Sequence, residues 1–509
     1  MFHSAPRRAV AALAGLALFA ALFSGCGGAP DSSSAVGGGV PAAQVSGEDT
    51  GEFILPYSSA DGFNPYLSKS NITLLNSRLL FTNFVDITND FELEYRAARS
   101  VVSSGAEVEI TVGGSFADGA AITGADAAAS LEAARQSAVF GARFANMGAV
   151  RYSGNTVTVT LNRPDSLFAY LLDIPVLKAG ETGAASPTSS GRYSVGQDDK
   201  GTILTANPDF AQKTALPTIR LVELSGYDAL VSGLNIGAIS LFSSEQESDL
   251  AGSIICNTAY FNLNNLVFLG IQAVGESSPL AQPALRQAIN LAVSRRQIAD
   301  KAYYSRAYVA TGVVNPRFPG EAAAATLAEE ADLDAARALI ESLGYARDAA
   351  GKRLSFTLLC YSGSSFKRYA ATLVAGQLEE CGIEVTVQED GDFASYHDKI
   401  ASGQAPLYIG EVKLYNNMDM DVFFAEGGDA HTGVSASETL LAAYDAMKAD
   451  ISGLAAFEAA FAAEMPFVPL VYKNGVATYS KDFSGLSPTV SDIFYQFERL
   501  TIDSTTQKE

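Results

Sequence analysis

LSFTLLCYSGSSFKRYAATLVAGQLEECGIEVTVQEDGDFASYHDKIASGQAPLYIGEVKLYNNMDMDVFF, residues 354–424, reads as one complete strand, helix, strand, helix, strand unit. Leu354, Phe356, Leu358 and Cys360 alternate with Ser355, Thr357 and Leu359, the two-residue period of a strand with a buried face. Phe366, Tyr369, Ala370, Leu373, Val374 and Leu378 then recur at helical spacing. Ser364 or Ser365 can cap the start of that helix, and Gly382 stands where a left-handed residue ends one. Ile383, Val385 and Val387 alternate with Glu384, Thr386 and Gln388, so a second strand follows at once and the unit is a βαβ crossover. In a sheet built this way, ligands collect at the carboxyl ends of the strands, where loops emerge beside a helix N-terminus. The loops Tyr361–Ser365 and Lys413–Asp421 form that edge, and the second supplies amides and carboxylates suited to a polar ligand. The candidate ligand-binding residues are Tyr361, Tyr415, Asn416, Asn417, Asp419 and Asp421, with Asp419 the carboxylate expected to meet a cationic group.

Around this unit lie 509 residues, more than one core usually holds, so two or three domains are expected. The formal net charge of −22 leaves no basic stripe to neutralise phosphates, which argues against nucleic acid and against docking on anionic lipid by charge alone. Trp is absent, so any aromatic clamp is built from Tyr and Phe. Histidine occurs only at His3, His397 and His431, too few for a Cys/His metal cluster. Of the four cysteines, Cys360 and Cys381 stand at opposite ends of the crossover helix, roughly 20 Å apart, and are expected to be free, like Cys256.

The N-terminus carries an address. Arg7 and Arg8 precede an apolar run, Ala9 to Phe23, in the order of a secretory signal and too short to favour a stable span. Phe23-Ser24-Gly25-Cys26 resembles the bacterial lipobox, which implies cleavage after residue 25 and lipidation of Cys26. Residues 26–51 are rich in Gly, Ser, Ala and Pro, the composition of a flexible tether.

Along the mature chain, Glu52–Leu55 and Phe81–Ile87 read as strands, with a helical pattern through Leu74, Leu75 and Leu79 between them. Val108, Ile110 and Val112 alternate, as do Val157, Val159 and Leu161, marking a β-rich stretch. Thr123-Gly124-Ala125-Asp126 ahead of an Ala-rich run is a capping box, which makes Asp126 a structural carboxylate. Helical patterns resume at Leu285, Ala288, Ile289 and Ala292, and again from Asp332 to Leu343 with Gly344 as a stop. Two prolines bracket the apolar run from Met465 to Tyr472, where the chain is expected to leave one lobe for another.

Phe116-Ala117-Asp118-Gly119 and Ile122-Thr123-Gly124-Ala125-Asp126, followed in order by Ser190-Gly191-Arg192-Tyr193, Asn207-Pro208-Asp209-Phe210, Phe261-Asn262-Leu263-Asn264 and Leu285-Arg286-Gln287-Ala288-Ile289-Asn290, resemble the blocks of family 5 extracellular solute-binding proteins. That family comprises the oligopeptide-, dipeptide- and nickel-binding components of ABC importers. The resemblance runs from about Glu52 to about Asp503. Ser294 replaces a family Asp, an Arg before the Phe116 turn has no counterpart and the family's tryptophans are missing, so the chain resembles a distant member.

The resemblance implies an α/β, two-lobed periplasmic-binding-protein-like fold (type II, cluster C) with a β-rich insert in the first lobe. Lobe I would comprise 52–83, 186–261 and 476–509, with residues 84–185 as its β-rich subdomain, and lobe II residues 262–475. In peptide-binding relatives, the loop after the last strand of the opening unit carries an Asp that pairs with the ligand's α-amine. Here it falls on Asn416, Asp419 or Asp421. The implied protein is a monomeric, extracytoplasmic, lipid-anchored binder that needs no cofactor, captures a peptide and delivers it to an ABC permease. Nickel chelates and sugars are the alternative ligands, and sensing without transport the alternative role.

The residues themselves argue against catalysis. There is no Gly-x-Ser-x-Gly elbow, no His-Glu-x-x-His, no phosphate-cradling Gly-x-x-x-x-Gly-Lys and no Gly-x-Gly-x-x-Gly after a strand in the mature chain. Asp419 and Asp421 have no nameable activating base.

Overall fold

The computed structural model describes residues 52–210, 213–244, 256–275 and 277–502; Arg7, Arg8, the apolar run and Cys26 lie outside them. The 354–424 stretch folds as its periodicity predicts, into strands Leu354–Tyr361, Ile383–Asp390 and Leu407–Lys413 with helices Ser365–Glu380 and Phe393–Ala401 between them. The three strands are parallel: Leu354 lies opposite Ile383, Tyr361 opposite Asp390, and Leu358 opposite Leu407. Ser364 is the cap, its hydroxyl accepting from the Lys367 N–H at 3.2 Å. Gly382 takes φ 88° at the other end, a conformation costly for any residue with a Cβ. The helix turns Ala370, Ala371, Val374 and Leu378 onto the strands. Cys360 and Cys381 are free and buried, and burial pushes the Cys360 thiol up to about 11, which leaves it unreactive.

This unit supplies three strands of a seven-stranded sheet. The 407–413 strand pairs antiparallel with Cys256–Ile271, which pairs in turn with Phe467–Ser480; Leu241–Ser244 and Ala307–Val309 flank the last of these. The two long strands run through both halves of the molecule. Leu266 to Leu269 and Phe467 to Tyr472 pack in one core, together with the crossover unit and the helices Pro283–Ala292, Leu333–Ser342, Glu438–Ala449 and Leu454–Glu464. Phe261, Leu263, Ala477 and Tyr479 pack in the other. Between them the register slips, from Asn262 opposite Asn474 to Leu266 opposite Tyr472, so two strands cross where apolar packing is interrupted by Asn262, Asn264 and Asn265.

That other core, the first along the chain, is built on strands Phe53–Tyr57, Thr218–Glu223, Gly201–Ala206 and Tyr193–Asp198, in that order, with helix Asn71–Leu80 beside them; the core of the crossover unit is the second. A four-stranded antiparallel sheet, Ala98–Ser104, Glu107–Val112, Thr156–Leu161 and Met147–Ser153, forms from the β-rich stretch and shares this core. Its helix, Gly124–Gln136, begins at the capping box: the Asp126 carboxylate accepts from the Thr123 N–H at 2.9 Å, the Thr123 hydroxyl at 2.7 Å and the Ala179 N–H at 2.9 Å. Asp126 therefore both caps the helix and ties it to the next segment.

Two expectations are corrected. The strand expected over Phe81–Ile87 is confined to Val85–Ile87, because Phe81 closes the preceding helix through its N–H to the Ser77 carbonyl, 2.9 Å away. The prolines of the 465–472 run do not mark a change of core. Pro469 sits beside a bulge in an unbroken strand, where the missing N–H does no harm, and the change comes later, between Tyr472 and Ala477.

Candidate ligand cleft

The loop after the 407–413 strand emerges at the carboxyl end of the parallel unit and runs to the short helix Asp421–Phe424. Its composition looks polar, but Met418 and Met420 are fully buried and pin it to the second core, Met418 at a positive φ of 52°. Pinned in this way, the loop turns its amides and acids towards segment 162–178, which is held in the first core by Phe168, Leu171, Leu172 and Ile174.

Each predicted site residue has a definite place. Asn416 accepts from Asn264 Nδ2 at 2.7 Å and donates to Asp173 Oδ2 at 3.2 Å, linking the strand crossing to the other core. Asn417 donates to Asp165 Oδ2 at 2.8 Å, while Lys448 Nζ lies 3.0 Å from Asp165 Oδ1 and 3.1 Å from the Asn417 carbonyl. Asp421 pairs with Arg163. Tyr415 is packed against the first core, where burial and then the Asp419 charge push its phenol up to about 12. Asp419 is half-buried, and its Oδ1 accepts from the Asp421 N–H at 2.8 Å and from the Tyr444 hydroxyl at 3.3 Å. Burial pushes its carboxyl up, against the pull of Lys448. Tyr361 lies inside the second core, edge-on to Phe393 at 5.4 Å. The structure thus brings five of the six into one seam between the cores and leaves Tyr361 behind it.

A second group of polar side chains lies at the strand crossing. Glu411 places Oε2 at 2.7 Å from Lys367 Nζ and Oε1 at 3.0 Å from Lys473 Nζ, and Asn265 Nδ2 donates to Oε1 at 2.8 Å. Burial works to raise the Glu411 carboxyl, but the two ammoniums outweigh it and hold the group well below the usual carboxylate range. Four elements converge here: the first turn of the crossover helix and three strands of the sheet. Sequence reading missed Glu411, Lys473, Asn264 and Asn265, although each is a polar residue inside an apolar strand, which is a readable signal. It also missed Arg163, Asp165, Asp173 and Lys448, for which no local signal exists. Among the described residues no group of His, Cys, Asp and Glu could hold a metal ion.

The chain matches the family described as bacterial extracellular solute-binding proteins, family 5 Middle, over residues 108–430. Among solved structures, it is similar to a nickel ABC transporter protein from Bacillus halodurans, at 16% identity and TM-score 0.70, covering 87% of this chain and 97% of that one. It is also similar to a putative peptide-binding protein, AppA, from Clostridium difficile, at 17% identity and TM-score 0.67, covering 89% and 100%. The oligopeptide-binding protein AppA from Bacillus subtilis, solved with a nonapeptide, gives 17% identity and TM-score 0.58 over 89% and 99%. No curated protein sequence matches.

Proposed function

Because the chain belongs to the bacterial extracellular solute-binding proteins of family 5, we propose that it captures a ligand, a peptide in the first instance, between its two lobes and presents the closed form to an ABC permease. Family members are extracytoplasmic substrate-binding proteins of ABC importers rather than enzymes. We assign residues 52–83, 186–261 and 476–509 to lobe I, with 84–185 as its subdomain, and 262–475 to lobe II. What supports this division is that Phe261 and Ala477 pack in one core while Leu266 and Tyr472 pack in the other. Among the described residues two long strands cross at a stretch of asparagines, which suits a hinge, and a ligand that touches both lobes stabilises the closed form.

The observation that carries this reading is the seam itself: a loop at the carboxyl end of parallel strands, pinned to one core and facing polar groups of the other. Mass spectrometry of the copurified ligand is the direct test, and a mixture of short peptides is the expected result. In calorimetry with that ligand, Asp419→Asn is expected to weaken binding by about 2 kcal/mol if the carboxylate meets an amine out of water. Asp421→Asn removes a partner of Arg163, whose side chain is half exposed, and is expected to change binding by less than about 1 kcal/mol. Unchanged affinity for both variants removes the carboxylate grip and points to a neutral ligand such as a sugar.

We place the anchor at Cys26, on the Ser24-Gly25-Cys26 pattern that ends the apolar run. Cells fed a labelled fatty acid are expected to label the wild-type protein and not Cys26→Ser. Equal labelling of the two sinks this assignment.

A further inference from the structure

Segment 311–318 of lobe II touches both the strand crossing and the β-rich subdomain of lobe I. Asn315 Nδ2 donates to the Leu263 carbonyl at 3.1 Å and to Asn264 Oδ1 at 2.8 Å, fastening the strand crossing. Arg317 pairs with Asp90. The Phe318 ring meets Phe91 at 5.4 Å and Tyr170 at 5.1 Å; Phe91 is held at φ 56° and, with Ile87, reaches from its own segment into the second core. Asn264 passes the fastening on to Asn416 and so to Asp173.

The segment is itself held from behind by one carboxylate. Glu458, on helix Leu454–Glu464, is completely buried; Oε1 and Oε2 each accept from the Val313 N–H at 3.0 Å, and Oε1 also accepts from the Val314 N–H at 3.0 Å. A Cβ on Gly312 would lie 2.6 Å from Oε1, so the backbone is shaped around the acid. The groups facing it are Glu321, from helix Glu321–Ala324, which accepts from Thr311 Oγ1 at 2.9 Å, and Tyr472, from the long strand, whose hydroxyl donates to the Val313 carbonyl at 2.6 Å. The cations on the helices alongside are engaged elsewhere, Arg286 by the Glu464 and Met465 carbonyls and Lys448 by Asp165.

We propose that Glu458 is a positioning residue for lobe closure: its charge sets how firmly the 311–318 segment clasps lobe I, so that closure responds to pH. This rests on the reading of two lobes that close on a ligand. A carboxylate binds backbone N–H groups about twice as strongly as a neutral acid does. Burial pushes the Glu458 carboxyl up to about 7; the Val314 and Val313 N–H groups oppose this and Glu321 adds to it. The folded chain thus holds this proton more tightly than the unfolded chain, so the group's contribution to stability is present at low pH and lost as pH rises through about 7. Ionisation therefore tightens the clasp while costing stability, the combination of a group kept for a purpose other than folding.

Neither readout of the test involves a ligand, so failure here is separable from failure of the transport reading. In hydrogen-exchange mass spectrometry corrected for intrinsic rates, the wild-type peptide covering residues 311–318 is expected to lose protection about fivefold between pH 8 and pH 6. Glu458→Gln, which keeps the shape without the charge, is expected to show the lower protection at both. Small-angle scattering is expected to report wider lobe separation in parallel. Identical pH profiles for wild type and Glu458→Gln, a flat wild-type profile, or wild-type scattering that does not change between the two pH values would each overturn the proposal.

Discussion

Arg295→Met is expected to destabilise the chain by about 3 kcal/mol, read as a fall in the urea midpoint or in Tm. The guanidinium is fully buried and, among the described residues, is paired with no carboxylate. Nε donates to the Pro469 carbonyl at 2.7 Å, one terminal nitrogen to the Ala328 carbonyl at 3.1 Å and the other to Asn290 Oδ1. Methionine matches the stem and leaves three acceptors dry, each costing about 1–3 kcal/mol. Part of that is offset, because burying the cation is itself unfavourable, as a guanidinium pulled down to about 10 by burial indicates. Pro469 lies beside the strand bulge, where the ladder is interrupted, so its carbonyl has few other routes to a donor. Arg295→Lys is expected to lose less, since one ammonium reaches one or two of the acceptors. A methionine variant as stable as wild type would show that the strand repacks and that the arginine is not holding the bulge.

Glu411→Gln is expected to cost about 3–5 kcal/mol, because it removes the carboxylate between two nearly buried ammoniums. The pH dependence has a definite sign. Burial raises this carboxyl, but Lys367 and Lys473 bring it well below the ordinary range, so the stabilisation is complete above the free carboxyl value of about 4.3 and is lost as pH falls below it. Wild type should therefore weaken on acidification below about pH 4 in a way that the glutamine variant does not. Equal acid sensitivity would mean that Glu411 is not the group responsible. Since the site joins the crossover helix to three strands at the crossing, ligand affinity is expected to fall along with stability.

The sequence by itself determined the elements and their order in the crossover unit of the second core. Alternation at Leu354 to Cys360 and at Ile383 to Val387, helical spacing from Phe366 to Leu378, and Gly382 at the stop are local patterns, and local patterns survive translation into structure because each follows from the repeat of one strand or one helix. The position of the candidate loop came with them, since the carboxyl end of a parallel strand is fixed by topology. The chemistry of that loop did not. Whether Asp421 faces water or Arg163, which lies 258 residues away in sequence, depends on how two separately packed cores meet. Asp165 and Lys448, like Asn416 and Asp173, become partners for the same reason. Glu458 shows the limit most sharply: in the sequence it is one acid in an alanine-rich helix, and only burial beside two backbone N–H groups and a second acid gives it a shifted proton and a role. Strand and helix periods are read over a few residues, whereas desolvation and charge pairing are set by what lies within a few ångströms, and only the tertiary fold decides what that is.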